Sequence, residues 1–129
     1  MFFYRQTTAQ GVFSSTNNGT SWTWTDTGLT TSAIYVYALA IYPNDAGGTN
    51  LFAGTGLNGI FLSTNNGSNW TAVDSGLTSS SIFSFAVNGT NLFVGTSGSG
   101  VFLSTNNGTS WTSDSTGLSN IYGYSDANE

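Results

Sequence analysis

Three stretches of this chain repeat almost letter for letter, and the repeat limits the fold more than any other feature. They are Gly11-Val12-Phe13-Ser14-Ser15-Thr16-Asn17-Asn18-Gly19-Thr20-Ser21-Trp22-Thr23, Gly59-Ile60-Phe61-Leu62-Ser63-Thr64-Asn65-Asn66-Gly67-Ser68-Asn69-Trp70-Thr71 and Gly100-Val101-Phe102-Leu103-Ser104-Thr105-Asn106-Asn107-Gly108-Thr109-Ser110-Trp111-Thr112. Their starts lie 48 and 41 residues apart. The seven extra residues sit in one place, where the stretch from Ala40 to Asn50 replaces the short Asn88-Gly89-Thr90-Asn91.

Each repeated stretch follows an aromatic and β-branched run closed by Gly and Thr, Asn50 to Thr55 and Asn91 to Thr96, which reads as a strand. Longer apolar runs precede these, Ala33 to Leu39 and Ser81 to Val87. Their weak alternation predicts strands buried on both faces. Thr/Ser-rich runs such as Trp70 to Asp74 read as outer, wetter strands. Asn-Gly pairs at 18–19, 66–67, 88–89 and 107–108 supply the positive φ that tight hairpins need. No stretch shows a capped helical period. The chain therefore reads as all-β, and a period of this length in short strands is that of one four-stranded β-propeller blade.

Lettering the strands A to D from the inside outward, Phe2 to Thr7 aligns with the B strand at Leu92 to Thr96. The far end, after the Gly117-Leu118 junction, starts another A strand through Ile121, Tyr122 and Tyr124. The single repeat domain, residues 1–129, then divides into strands BCD of a split blade (1–28), a second blade (29–76), a third (77–117) and a lone A strand (118–129). Three blades are too few to close a ring. The expectation is a homodimer in which each terminal A strand completes the split blade of the other copy, giving six blades and no exposed edges. A fragment of a longer product and a monomer with an open edge are the competing readings.

The segments from Ser15 to Trp22, Ser63 to Trp70 and Ser104 to Trp111 resemble the Asp-box, or bacterial neuraminidase repeat, Ser/Thr-x-Asp-x-Gly-x-x-Trp. In that family the box forms the turn between strands C and D of a propeller blade. Asn17, Asn65 and Asn106 stand where the family has Asp; the amide carbonyl still accepts turn hydrogen bonds but carries no charge. The resemblance implies a structural box. Ser15, Ser63 and Ser104 open it, the Asn residues tie it, Gly19, Gly67 and Gly108 permit left-handed backbone, and Trp22, Trp70 and Trp111 bury a ring between layers. It does not bring catalysis, because a sialidase-like site needs an arginine cluster, and Arg5 is the sole basic side chain.

Composition narrows the function classes. Thr, Ser, Asn and Gly number 20, 19, 14 and 17 in 129 residues, with six acids, one base, no His and no Cys, for a net charge of −5. One Arg cannot grip a phosphate backbone, so nucleic acid is a poor partner. No apolar run is long enough to span a membrane as a helix. Metal and nucleophilic chemistry lack their usual side chains, and no cofactor is expected. A glycosidase needs two apposed carboxylates, and only Asp45 and Asp126 lie outside the repeated strand ends. The expectation is a non-catalytic, extracellular or cell-surface scaffold; the alternative is a lectin-like propeller with several equivalent carbohydrate sites.

The binding candidates follow from departures from the repeat. Trp24 is matched by Ala72 and Ser113, so the repeat does not require it. Gln10, Asn58 and Ser97 lie on loops that differ between repeats at the end opposite the boxes, where a rigid scaffold usually carries its contacts. Tyr35, Tyr37, Tyr122 and Tyr124 fall on innermost strands and are expected in the core. Asp26, Asp74 and Ser115 share one position, an interchange that suits turn capping rather than acid–base work.

Overall fold

A computed structural model describes residues 2–5, 11–29, 34–44 and 46–118, the first four through their backbone alone. The described residues form eleven strands and no helix. In chain order these are β1 (Phe2–Arg5), β2 (Gly11–Ser14), β3 (Thr23–Trp24), β4 (Val36–Pro43), β5 (Thr49–Thr55), β6 (Ile60–Ser63), β7 (Thr71–Ala72), β8 (Ile82–Asn88), β9 (Asn91–Thr96), β10 (Val101–Ser104) and β11 (Thr112–Ser113). They pair into three antiparallel meanders: β1-β2-β3, β4-β5-β6-β7 and β8-β9-β10-β11. The all-β reading is correct, and no sheet closes on itself.

The pairing corrects one detail of the sequence reading. Phe2 lies opposite Ser14, as Phe52 lies opposite Leu62 and Phe93 opposite Leu103. The first strand therefore aligns with Phe93, one position beyond the Leu92 start expected. The seven extra residues lengthen a hairpin. β4 and β5 stay paired out to Pro43 and Thr49, and the turn between them is tied by Asn44, whose Oδ1 accepts from the amides of Ala46 (3.0 Å) and Gly48 (2.9 Å).

The sheets stack face to face, β4 beside β8 and β1 beside β4. Because side chains alternate along a strand, the middle sheet feeds two cores. Leu51, Ala53 and Phe61 pack back toward Val12 of the first sheet, with Ile34, Val36 and Trp70. Phe52 and Ile60 pack forward onto Ile82, Leu92, Val94, Phe102 and Trp111 of the third. The cores thus lie between sheets.

β4 and β8, expected to be innermost, differ from expectation for the same reason. β8 was expected to be buried on both faces, yet after Ile82 it is largely exposed, Phe83 at 53% and Val87 at 42%. Only its backward face has a sheet to pack against. β4, with a sheet on either side, is covered far better. Matching irregularities at Tyr37 and Phe83 interrupt the two ladders, and the two rings stack at 5.4 Å. Tyr35, expected in the core, is exposed; Tyr122 and Tyr124 lie outside the described residues.

Candidate functional site

The three repeated turns have one geometry. In the first, the Ser15 hydroxyl accepts from the Gly19 amide at 2.8 Å and donates to Asn17 Oδ1 at 2.9 Å; Asn17 Oδ1 also accepts from the Ser21 amide at 2.9 Å. The second uses Ser63, Asn65, Gly67 and Asn69 at 2.8, 3.0 and 2.9 Å. The third uses Ser104, Asn106, Gly108 and Ser110 at 2.9, 2.8 and 3.0 Å. Asn18, Asn66 and Asn107 take φ of 56°, 58° and 59°, followed by glycines at 84°, 85° and 80°. Asn tolerates this region better than other side-chain-bearing residues, because its amide is short and bonds locally. The amide carbonyl does the work of a carboxylate here without its charge.

The second and third turns also carry the tryptophan that joins their sheet to the one before it. The Trp70 indole donates to the Thr25 carbonyl at 2.9 Å and its backbone N–H to the Thr27 carbonyl at 2.8 Å. One sheet on, Trp111 repeats both bonds, to Val73 at 2.7 Å and Ser75 at 2.9 Å. Gly28 and Gly76 make the fit possible: a Cβ on either would overlap the Trp70 or Trp111 carbonyl oxygen. Trp70 and Trp111 are 3% and 2% exposed, whereas Trp22, on the first sheet, is 40% exposed.

The binding candidates are distributed over three sheets. Trp24 stands on β3, 42% exposed, with its ring edge-on to Phe13 at 4.6 Å. Asn58 lies on the β5–β6 loop, where its N–H donates to Thr55 Oγ1 at 2.9 Å. Ser97 lies on the β9–β10 loop, its N–H donating to the Ser81 carbonyl at 3.0 Å. Gln10, Asp45 and Asp126 fall outside the described residues. At the shared Asp/Ser position, Ser115 Oγ accepts from the Val101 N–H at 3.0 Å, a capping role, and Asp26 and Asp74 lie against Gly11 and Gly59. Among the described residues no three His, Cys, Asp or Glu side chains cluster as metal ligands would.

Sequence reasoning did not find an open cleft at the end that carries the Asn-Gly turns. It has a volume of about 490 Å³ and is lined by Tyr42, Asn44, Thr90, Thr105 and Asn107, among others. Three turns from two sheets meet there, held by the Tyr42 hydroxyl, which donates to the Thr90 carbonyl at 2.7 Å. The extra residues between Ala40 and Asn50 were its only signal, since they build the near wall. No family model, no curated protein and no solved structure matches the chain.

Proposed function

We propose that the chain is a non-catalytic β-propeller scaffold or interaction module, built from Asp-box-like blades, that assembles with a second copy by strand exchange. The observation that carries this reading is the difference between the sheets. Among the described residues two have four strands, while the first has three and ends on β1, whose only ladder partner is β2. The missing position is that of the A strand, which the sequence supplies again at residues 118–129. Delivered to another copy, that strand would pair the open edge of β1 and remove an aggregation-prone template. Two copies would then make a ring of six blades, within the usual range, in an extracellular or surface setting.

Size-exclusion chromatography with light scattering tests it. A mass twice the 13.5 kDa of one chain supports the closed ring. A monomer at every concentration rejects it.

The cleft favours a second reading, a carbohydrate-binding ring. The amide of Asn107 and the hydroxyls of Thr90 and Thr105, in a cleft walled by the buried Tyr42, are suitable chemistry for sugar hydroxyls. A glycan array decides: dose-dependent signal lost in Thr105→Ala supports this reading, and a blank array retires it.

A further inference from the structure

An Asn-Gly pair can modify itself. The glycine nitrogen, with no Cβ beside it to block the approach, attacks the asparagine side-chain carbon. A bond forms from that nitrogen to Cγ, the Cγ–Nδ2 bond breaks, and the amide nitrogen leaves as ammonia with the glycine's amide proton. The product is a cyclic succinimide. Water then opens either of its two carbonyls, giving aspartate or isoaspartate, and no other co-reactant is needed. The chain has Asn-Gly at 18–19, 66–67, 88–89 and 107–108, each followed by Thr or Ser. Local chemistry is thus nearly the same at all of them, and the fold decides which reacts.

Closure requires the Asn–Gly peptide plane to turn until its nitrogen faces Cγ. In the three box turns that nitrogen is engaged. Gly19 donates to the Ser15 hydroxyl at 2.8 Å, Gly67 to Ser63 at 2.8 Å and Gly108 to Ser104 at 2.9 Å. Each bond fixes the plane by the atom that would have to attack. Gly67 and Gly108 are also buried, and a Cβ on Gly108 would meet the Phe52 ring, so those planes have little room to turn. Gly19 is half-buried.

The pair at 88–89 is built differently. It forms the tip of the hairpin between β8 and β9, where Asn88 and Asn91 are the last residues of the ladder. Ladders open first at their ends. The boxes have their serine four residues before the glycine, whereas Phe85 stands there for Gly89, so the pinning hydroxyl is absent. Asn88 and Gly89 are both exposed, and among the described residues no atom lies within 4 Å of where a Gly89 Cβ would sit. We propose that Asn88 is a site of spontaneous deamidation, and that the box serines hold the other three pairs against the same reaction. The site bears on the cleft, because Gly89 and Thr90 line it. Either product adds a negative charge to a chain whose net charge is −5. Isoaspartate also lengthens the main chain beside Thr90, whose carbonyl accepts from the Tyr42 hydroxyl. The reaction therefore alters the rim of the cleft, slowly and in one direction, whether or not the cleft takes a sugar.

The test is peptide mapping by mass spectrometry on the full chain, aged in mildly alkaline buffer both folded and in urea. Chymotrypsin is the protease of choice, since Arg5 is the sole basic residue. In urea the four asparagines should react at similar rates. In the folded chain Asn88 should react at least about fivefold faster than Asn18, Asn66 or Asn107, the factor for having to break one hydrogen bond before closure. Ser104→Ala, checked for its fold by circular dichroism, should quicken the reaction at Asn107 while leaving Asn18 and Asn88 unchanged. Equal rates at all four sites in the folded chain would overturn the proposal. So would a folded Ser104→Ala variant in which Asn107 is still protected, because the hydroxyl would then not be what holds the box.

Discussion

The indole nitrogen of Trp70 donates to the carbonyl oxygen of Thr25 at 2.9 Å, across the boundary between two sheets. Trp111 does the same to Val73 one repeat later. A side chain that fills the space between sheets and also satisfies a backbone carbonyl at the rim fixes both their spacing and their relative position along the strands.

Removing only the N–H should show this. Trp70→Phe and Trp111→Phe keep an aromatic ring between the sheets but leave the carbonyls of Thr25 and Val73 without their indole donors. Each should lower stability by about 1–3 kcal/mol. Urea denaturation, with unchanged slope, is the measurement. A midpoint shift near zero would mean that the rings matter only as filler.

The glycine ledges separate contact from backbone strain. Gly76 and Gly117 both have positive φ, 92° and 88°, so alanine is strained at either. Among the described residues only at Gly76 would the new Cβ also meet backbone, that of Trp111. Gly76→Ala should therefore destabilise the monomer by about 1–3 kcal/mol more than Gly117→Ala, the usual cost of overpacking. Thermal unfolding at low protein concentration checks the difference, and equal losses would contradict the close approach.

The repeated turns predict an order among substitutions at one position. Asn106→Ala loses the acceptor for the Ser110 amide and the Ser104 hydroxyl, and should cost about 1–2 kcal/mol, like loss of a helix cap. Asn106→Asp keeps both acceptors and loses only the donor to Ser110 Oγ, so its loss should be clearly smaller. Chemical denaturation of the pair is decisive: equal losses would show that the accepted bonds contribute nothing.

At the cleft, Tyr42→Phe removes the hydroxyl that ties the β4–β5 hairpin to Thr90 while leaving the buried ring in place. The cost should be about 1 kcal/mol. Amide hydrogen exchange should also quicken at Thr90 and Asn91 relative to distant strands. Unchanged protection there would mean that the two hairpins are held together by other contacts.

Much of this was legible in the residues. Aromatic and β-branched runs and Asn-Gly pairs mark β2, β5, β6, β9 and β10, because such side chains suit a pleated sheet and hairpins need positive φ at two positions, which few residue types provide. The Ser-x-Asn-x-Gly spacing marks the turn bonds, because all of them close within five residues of one another. Such local features depend on covalent distance alone. The course of the Ala40 to Asn50 stretch was not legible. Whether extra residues extend a ladder or leave it depends on what lies alongside, here Thr90, which is 48 residues from Tyr42.

Exposure was decided in the same way. Trp22, Trp70 and Trp111 are equivalent in sequence, as are Gly28, Gly76 and Gly117, and nothing in the repeat separates the buried members from the open ones. The sequence by itself determined the strands, the turns, the all-β class and the existence of a repeated junction, since these follow from backbone preferences and local hydrogen bonds. Only the tertiary structure decided which copy of each residue has a sheet against it. Burial belongs to the stack of sheets, and among the described residues a sheet at the end of the stack has another sheet on one side only.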